Sequence, residues 1–172
     1  MEKRPIVIDT GPLLTYLALR YLDGSGASKA KRDEILRDIR PRSGFAETEQ
    51  ERFLQVMKQP ALTTAHVISE ALKLRDASAL GREKETFRRN SLAVLTGDTI
   101  SEIRCPIVEI CLEEDFRELI CRHGLTDASL IFIASRNRAL LLTDDGRLFR
   151  GYSVRPGYYT IKLLDDFLRQ AD

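Results

Sequence analysis

Pro5-Ile6-Val7-Ile8-Asp9-Thr10-Gly11-Pro12 is the stretch of sequence that decides the fold. Its three consecutive residues Ile6-Val7-Ile8 form a short β-branched apolar run, which is typical of a strand buried on both faces of a parallel sheet. The glycine and the second proline end the strand, and that proline suits the first turn of a helix. We therefore predict a strand that presents Asp9 at its carboxyl end, followed by a buried helix over residues 13–22.

Strands and helices alternate along the rest of the chain. Further strands are predicted at Ile107–Ile110, at Ala139–Thr143 and, at an edge of the sheet, at Tyr158–Ile161. Helices are predicted over residues 29–40, 46–58, 65–80, 82–96, 113–122, 127–138 (with Thr126 as its cap) and 163–170. This alternation is typical of an α/β fold with a mainly parallel sheet, in which ligands bind beyond the carboxyl ends of the strands.

The bulk composition narrows the class of protein. A length of 172 residues suits one domain, and the formal net charge of +1 means that any binding of nucleic acid depends on a local basic patch. The three cysteines form no Cys-x-x-Cys pair, which indicates reduced thiols in a cytoplasmic protein. The apolar run before Asp9 is too short for a signal peptide, and the stretch Leu13–Leu22 is interrupted by Thr15 and Arg20. We therefore expect no membrane association.

Acidic residues recur at the ends of the predicted segments, namely Asp9, Glu70, Asp127, Asp144 and Asp145. Each has an ordinary explanation: a helix cap for the first, a surface position for the second, a favourable helix dipole for the third, and a turn for the last two. Gathered in one pocket, however, such carboxylates would repel one another unless a cation lay between them. An all-oxygen cluster suits Mg²⁺ or Mn²⁺, so a metal-dependent site that cleaves phosphodiesters is the leading hypothesis.

The ordered set of acidic motifs resembles that of the PIN-domain ribonucleases, which occur as toxins in prokaryotic toxin–antitoxin pairs. The matching segments are Val7-Ile-Asp9-Thr10, Thr63-Thr-Ala-His-Val-Ile-Ser-Glu70, Asp127-Ala-Ser-Leu-Ile-Phe-Ile-Ala134 and Leu141-Leu-Thr143-Asp144-Asp145. Gly11-Pro12 departs from the family, which often has a polar residue there. The resemblance implies a PIN-like three-layer sandwich, with a central mainly parallel sheet flanked by helices. It would form a single domain over residues 1–172, with an extended helical insertion at about 23–60.

The resemblance also implies an activity, that of a metal-dependent endoribonuclease. Asp9, Asp127 and Asp145 would hold Mg²⁺ or Mn²⁺, and Glu70 would complete the ligand shell or orient a water. The Thr-x-Asp spacing favours Asp145 over Asp144 as the fourth ligand, and both are retained as candidates. Three hydroxyl residues would hydrogen-bond these carboxylates or serve as ordinary caps: Thr10, Ser129 and Thr143.

Two groups of basic residues are candidates for contacting an RNA substrate. One lies in the insertion, where a solvated helix face is the more usual explanation: Lys29, Lys31, Arg32, Arg37, Arg40 and Arg42. The other follows the fourth acid and is close to two tyrosines: Arg147, Arg150 and Arg155, with Tyr158 and Tyr159.

The resemblance further implies a homodimer and an antitoxin protein as partner. A group of apolar residues in the insertion would either line the dimer interface or close the core: Phe53, Leu54, Val56 and Met57. The main alternative is a catalytically inactive PIN-like module that binds RNA or a protein. An aspartate-based phosphatase is disfavoured, because Gly11 stands where that chemistry needs a second Asp.

Overall fold

The computed structural model describes residues 4–40, 45–73, 78–97, 99–152 and 160–169. Within these residues, the sheet consists of β1 (Ile6–Ile8), β2 (Ala61–Thr63), β3 (Ile100–Glu102), β4 (Leu140–Thr143) and β5 (Thr160–Leu163). The strands lie in the order β3-β2-β1-β4-β5, and every neighbouring pair is parallel. The predicted parallel sheet, with a strand at residues 6–8, is confirmed.

The helices flank this central sheet. They are α1 (Thr10–Ser25), α2 (Lys29–Ile39), α3 (Glu47–Val56), α4 (Ala65–Lys73), α5 (Lys84–Leu95), α6 (Ile107–Leu112), α7 (Glu114–His123), α8 (Leu125–Arg136), α9 (Gly146–Tyr152) and α10 (Leu164–Arg169), with a 3-10 helix at Ser78–Glu83. Helix α1 packs against α2, α3, α4 and α5, whereas α8 packs against β1, β4, α6 and α7. The fold is therefore the predicted α/β three-layer sandwich, and α2 and α3 are the helices of the predicted insertion.

Helix α1 is apolar almost all round. Most of its residues from Pro12 to Leu22 are buried, because the helix lies between the sheet and four other helices. Asp9 caps α1 at its start, and Gly26 ends it in the left-handed conformation with φ of 64°. These two caps explain why α1 extends beyond the predicted residues 13–22.

Strand β1 lies at the centre of the hydrophobic core. Val7 and Ile8 are fully buried, as expected for a strand covered on both faces. Phe53 and Met57 of the insertion belong to the same buried cluster. Of the two explanations offered for the apolar residues of the insertion, the structure supports closure of the core for this pair. No helix among the described residues is both long and apolar enough to cross a membrane.

The strand predicted at Ile107–Ile110 is wrong, because this segment begins helix α6. Pro106 directly precedes the helix, and a short apolar run by itself does not distinguish a strand from a helix. The edge strand predicted at Tyr158–Ile161 is observed two residues later, at Thr160–Leu163. Its first two predicted residues lie outside the described part of the chain.

Two helix boundaries also differ from the prediction. Helix α8 begins at Leu125, so Thr126 lies in its first turn and is not its cap. Gly124, with φ of 85°, separates α7 from α8 and lets the chain turn sharply between them. Of the helix predicted over residues 65–80, α4 accounts for Ala65–Lys73, residues 74–77 lie outside the described ranges, and residues 78–80 belong to the 3-10 helix.

Candidate active site at the carboxyl edge of the sheet

The strand order reverses between β1 and β4, and such a reversal leaves a crevice at the carboxyl ends of the two strands. From β1 the chain continues to β2 and β3 on one side, whereas β4 and β5 lie on the other side. Open parallel sheets bind ligands at this kind of reversal, where neighbouring crossovers diverge. Asp9 directly follows β1, and Asp144 and Asp145 directly follow β4. The backbone N–H of Asp9 donates to the carbonyl of Leu142 at 3.0 Å, so the sheet itself fixes the first and fourth acidic segments against each other.

Asp9 is both a helix cap and a buried acid of this crevice. Its Oδ1 accepts from the backbone N–H of Thr10 at 2.6 Å, and its Oδ2 accepts from the hydroxyl of Thr143 at 2.6 Å. Burial raises the pKa of Asp9; the two hydrogen bonds lower it, and the charges of Glu70 and Asp145 raise it. The capping explanation is therefore correct, but it accounts for only one of the two carboxylate oxygens.

Glu70 lies at the mouth of the crevice, on α4. The buried Val67 lies one turn earlier on the same helix, whereas Glu70 is exposed. The hydroxyl of Thr10 donates to Glu70 Oε2 at 2.9 Å, so the residue after the first acid orients the second. The charge of Glu70 raises the pKa of both Asp9 and Asp127.

The pKa of Asp127, in the first turn of α8, shows most directly that the acids act on one another. Burial and the charges of Asp9, Asp145 and Glu70, in that order, raise the pKa of Asp127 to about 7, while Arg147 opposes the shift. The other three predicted acids therefore all act on this side chain. The four carboxylates come from four separate segments, and the fold brings them into one electrostatic neighbourhood.

Asp145 and Asp144 occupy different environments. Asp145 Oδ1 accepts from the backbone N–H of Arg147 at 2.7 Å, which anchors the start of α9. The backbone N–H of Asp145 donates to the hydroxyl of Thr143 at 2.9 Å, and that same hydroxyl donates to Asp9. The backbone of Asp145 is thus linked to the first acid through Thr143.

Asp144 is held instead by an arginine of the insertion. Arg40 Nη2 lies 3.2 Å from Asp144 Oδ1 and 2.5 Å from Asp165 Oδ1. Burial raises the pKa of Asp144 to about 6, and the charge of Arg40 opposes the shift. A Cβ at Gly11 would lie 2.6 Å from Asp144 Oδ2, so the departure from the family pattern at Gly11 makes room for this carboxylate.

The donors suit a hard divalent cation, but they do not form a ready-made coordination shell. Across the described ranges, no three His, Cys, Asp or Glu side chains are arranged to hold a metal ion. The four coupled residues offer only carboxylate oxygens, the ligands that Mg²⁺ and Mn²⁺ prefer. The chemistry of the set therefore fits these ions, and binding would require the side chains to draw closer together.

Two residues near the site were not predicted to act together, Arg40 and Asp165. Arg40 carried only the general signal of a basic residue, and Asp165 lies 125 positions away from it, so no local pattern pairs them. Of the three hydroxyl residues, Thr10 and Thr143 contact carboxylates, whereas Ser129 donates to the carbonyl of Thr126 at 2.7 Å.

The basic residues that were predicted to contact RNA lie in different surroundings, some in ion pairs on α2 and one beside the acidic residues. Lys31 pairs with Glu34, and Arg32 pairs with Asp23, as expected for a solvated helix face. Arg147 is exposed, and its Nε lies 3.7 Å from Asp145 Oδ1, at the site itself. Other predicted contacts to RNA lie outside the described residues: Arg42, Arg155, Tyr158 and Tyr159.

Comparisons with protein-family models, with characterised proteins and with solved structures find no match to this chain. The resemblance of its motifs and the arrangement of its acidic residues are therefore the observations that bear on its function.

Proposed function

We propose that the protein is a metal-dependent endoribonuclease that cleaves phosphodiester bonds in RNA. One observation supports this above the others: hydrogen bonds through Thr143 and Thr10 link the segments of Asp9, Asp145 and Glu70, and the charges of these acids, together with burial, raise the pKa of Asp127 to about 7. Asp9 and Asp145 follow the two strands at the reversal point of the sheet, where open parallel sheets bind ligands. A cation bound there would relieve their repulsion, which gives the cluster a physical reason to bind one.

The residues of the chain would divide the chemistry among them. Asp9, Asp127 and Asp145 would hold the ion, and Glu70, at the mouth, would orient the attacking water. Bound Mg²⁺ or Mn²⁺ would supply a nucleophilic hydroxide at neutral pH and neutralise charge on the leaving oxygen. Thr10 and Thr143 fix the directions of Glu70 and Asp9 through their hydroxyls. Arg147, exposed beside Asp145, is placed to contact a phosphate of the RNA.

The test is cleavage of a labelled, unstructured RNA in Mn²⁺ by the wild type and by Asp9→Asn. Asn retains the oxygen that accepts from Thr10, so α1 stays capped and the variant should fold. It removes one negative charge from the cluster. Changing a residue that only supports a metal ligand already lowers activity by up to about 100-fold, so loss of a ligand itself should lower cleavage by at least ~100-fold. Asp33→Asn, which makes the same change on the exposed surface of α2, is the matched control and should cleave like the wild type.

Equal cleavage by the wild type and Asp9→Asn would place the activity elsewhere. A second candidate function, an inactive PIN-like module that binds RNA or a protein, is favoured by the lack of a ready-made metal group among the described residues. It predicts RNA binding without cleavage in Mg²⁺ or Mn²⁺, for structured and unstructured RNA alike.

We further propose that the protein acts as the toxin of a toxin–antitoxin pair, on the resemblance of its motifs alone. A small open reading frame next to its gene, whose product co-purifies with this chain and blocks cleavage, would support that role. A gene without such a neighbour would contradict it.

A further inference from the structure

A cleft of about 1010 Å³ lies at the amino edge of the sheet, at the opposite end of the strands from the acidic residues. The first residues of three strands form part of its wall: Ile6 of β1, Leu140 of β4 and Thr160 of β5. The end of α3 and the turn after it form a second side, and α10 contributes Phe167. None of the acidic residues of the candidate active site lines this cleft.

The charged residues among the described lining of the cleft are all basic. Arg4, Lys58 and Lys162 line it, and the described lining residues include no Asp or Glu. Arg4 Nη1 donates to the hydroxyl of Thr160 at 3.2 Å, which holds one cation against the strand end. The Nζ of Lys162 lies 5.8 Å from the centroid of the Phe167 ring. A cleft lined by basic residues and apolar walls concentrates the positive electrostatic field, so it attracts an anion.

The remaining walls suit a flat apolar group more than a bare ion. Ile6 and Leu140 belong to, or pack on, the hydrophobic core, and Phe167 adds an aromatic ring. Gln55 and Gln59 carry amides, which both donate and accept hydrogen bonds. Apolar walls with a few polar groups are typical of small-molecule sites, and the volume lies at the upper end of their usual range of about 300–1,000 Å³.

We propose that this cleft binds a nucleoside phosphate. The base would pack against Phe167 and the apolar wall, the amides of Gln55 and Gln59 would contact its edge, and the phosphate would lie among Arg4, Lys58 and Lys162. Base stacking on aromatic rings and phosphate pairing with cations are the two recurring contacts of such ligands. The ligand has two sources, a free nucleotide or one nucleotide of an RNA chain, and both present the same chemistry.

The inference is independent of the proposed nuclease activity, so its test is carried out in EDTA. The full chain is titrated by calorimetry with AMP, UMP, adenosine, inorganic phosphate and a short single-stranded oligoribonucleotide. A nucleoside monophosphate should bind at least ~10-fold more tightly than adenosine or inorganic phosphate, because only the nucleotide contacts both the apolar wall and the basic residues. Affinity for the oligonucleotide equal to that for the mononucleotide indicates the free nucleotide as ligand, and much tighter oligonucleotide binding indicates RNA.

Two variants and a control locate the binding. Lys58→Gln removes an exposed cation of the cleft and Phe167→Leu removes the ring; each should weaken nucleotide binding several-fold. Arg88→Gln changes an exposed cation on α5, away from the cleft, and should have no effect. Lys58→Gln affects only an exposed side chain, so it remains informative even if Phe167→Leu lowers stability. Equal affinity for phosphate and nucleotide, no binding at all, or unchanged binding by Lys58→Gln and Phe167→Leu would overturn the proposal.

Discussion

Thr143 is the side chain that joins the first and fourth acids. It is fully buried at the end of β4; its hydroxyl donates to Asp9 at 2.6 Å and accepts from the backbone N–H of Asp145 at 2.9 Å. One hydroxyl therefore sets the direction of a carboxylate on the neighbouring strand and the path of the chain into α9. Only Ser or Thr provides a donor and an acceptor of this size.

Thr143→Val keeps the shape of the side chain but removes both hydrogen bonds. Because it leaves a buried carboxylate oxygen and an N–H without this partner, the free energy of unfolding should fall by about 2–3 kcal/mol. The cleavage rate should fall by more than the loss of folded protein explains, since Asp9 loses its orientation. Thr143→Ser keeps the hydroxyl and should lose much less in both. Denaturant unfolding and the RNA assay measure the two effects, and equal behaviour of the two variants would show that the hydroxyl has no such role.

Asp127 predicts how stability depends on pH when no metal is bound. Its pKa in the folded protein is about 7, above the ordinary 3.8, so the folded state holds the proton more strongly than the unfolded state does. The resulting stabilisation is fully present below about pH 4 and is lost as the pH rises through 7. In EDTA, the wild type should therefore melt several degrees lower at pH 8 than at pH 5.

Asp127→Asn should reduce this slope without abolishing it, because the pKa values of Asp9 and Asp144 are raised as well. Asp33→Asn, on the exposed surface, should retain the full slope. A wild-type melting temperature that is the same at pH 5 and pH 8 would contradict the coupling of these acids.

At the scale of elements, the insertion reaches the site through Arg40. This residue ends α2, and its guanidinium, almost fully buried, pairs with Asp144 in the turn after β4 and with Asp165 in α10. The guanidinium also lies 4.8 Å from the centroid of the Phe45 ring, just before α3. One side chain thus connects four pieces of the structure beside the acidic crevice. That the basic residues of the insertion contact RNA stays a prediction.

Arg40→Met tests the strength of this connection. It leaves two partly buried carboxylates unpaired, and we expect a loss of about 2 kcal/mol, between the values for exposed and fully buried pairs. Adding Asp144→Asn should recover part of the loss, because one of the unpaired charges is then gone. Arg89→Gln, which breaks the exposed pair with Glu85, should leave stability almost unchanged. Equal stability of Arg40→Met and Arg89→Gln, by urea unfolding, would refute the connection.

At the scale of the whole molecule, the sequence predicted the parts of the fold that have a local signal. The β-branched run of β1 and the apolar run of β4 are such signals, and they placed Asp9 and Asp145 correctly at the carboxyl edge of a parallel sheet. Strands β2 (Ala-Leu-Thr) and β3 (Ile-Ser-Glu) have three residues each, as β1 does, but they lack its continuous β-branched run and were missed. The order of the strands and the pairing of Arg40 with Asp165 depend on contacts between distant residues, which no local pattern encodes.

Binding of a divalent ion should stabilise the whole fold. If the acids repel one another without an ion, then Mn²⁺ or Mg²⁺ at a hundredfold over its dissociation constant should add roughly 2.7 kcal/mol. Thermal melts with EDTA and with Mn²⁺ measure this gain, and Asp9→Asn should show little of it. Identical wild-type melts in both conditions, with no heat of binding, would remove the metal from the proposal.

The predicted homodimer is a separate matter, which sedimentation at micromolar concentration tests.

The pairing of β1 with β4 also governs when the protein can fold during its synthesis. Asp9 and Thr143 lie 134 positions apart, so the central strand leaves the ribosome long before its partner. At usual rates of translation this interval is on the order of 10 seconds. Sheets whose neighbouring strands are distant in sequence fold slowly, and until β4 emerges the apolar residues of β1 have no partner strand on that side. One edge of β1 therefore stays unpaired during this interval, and any activity that needs Asp145 begins only after most of the chain has been made.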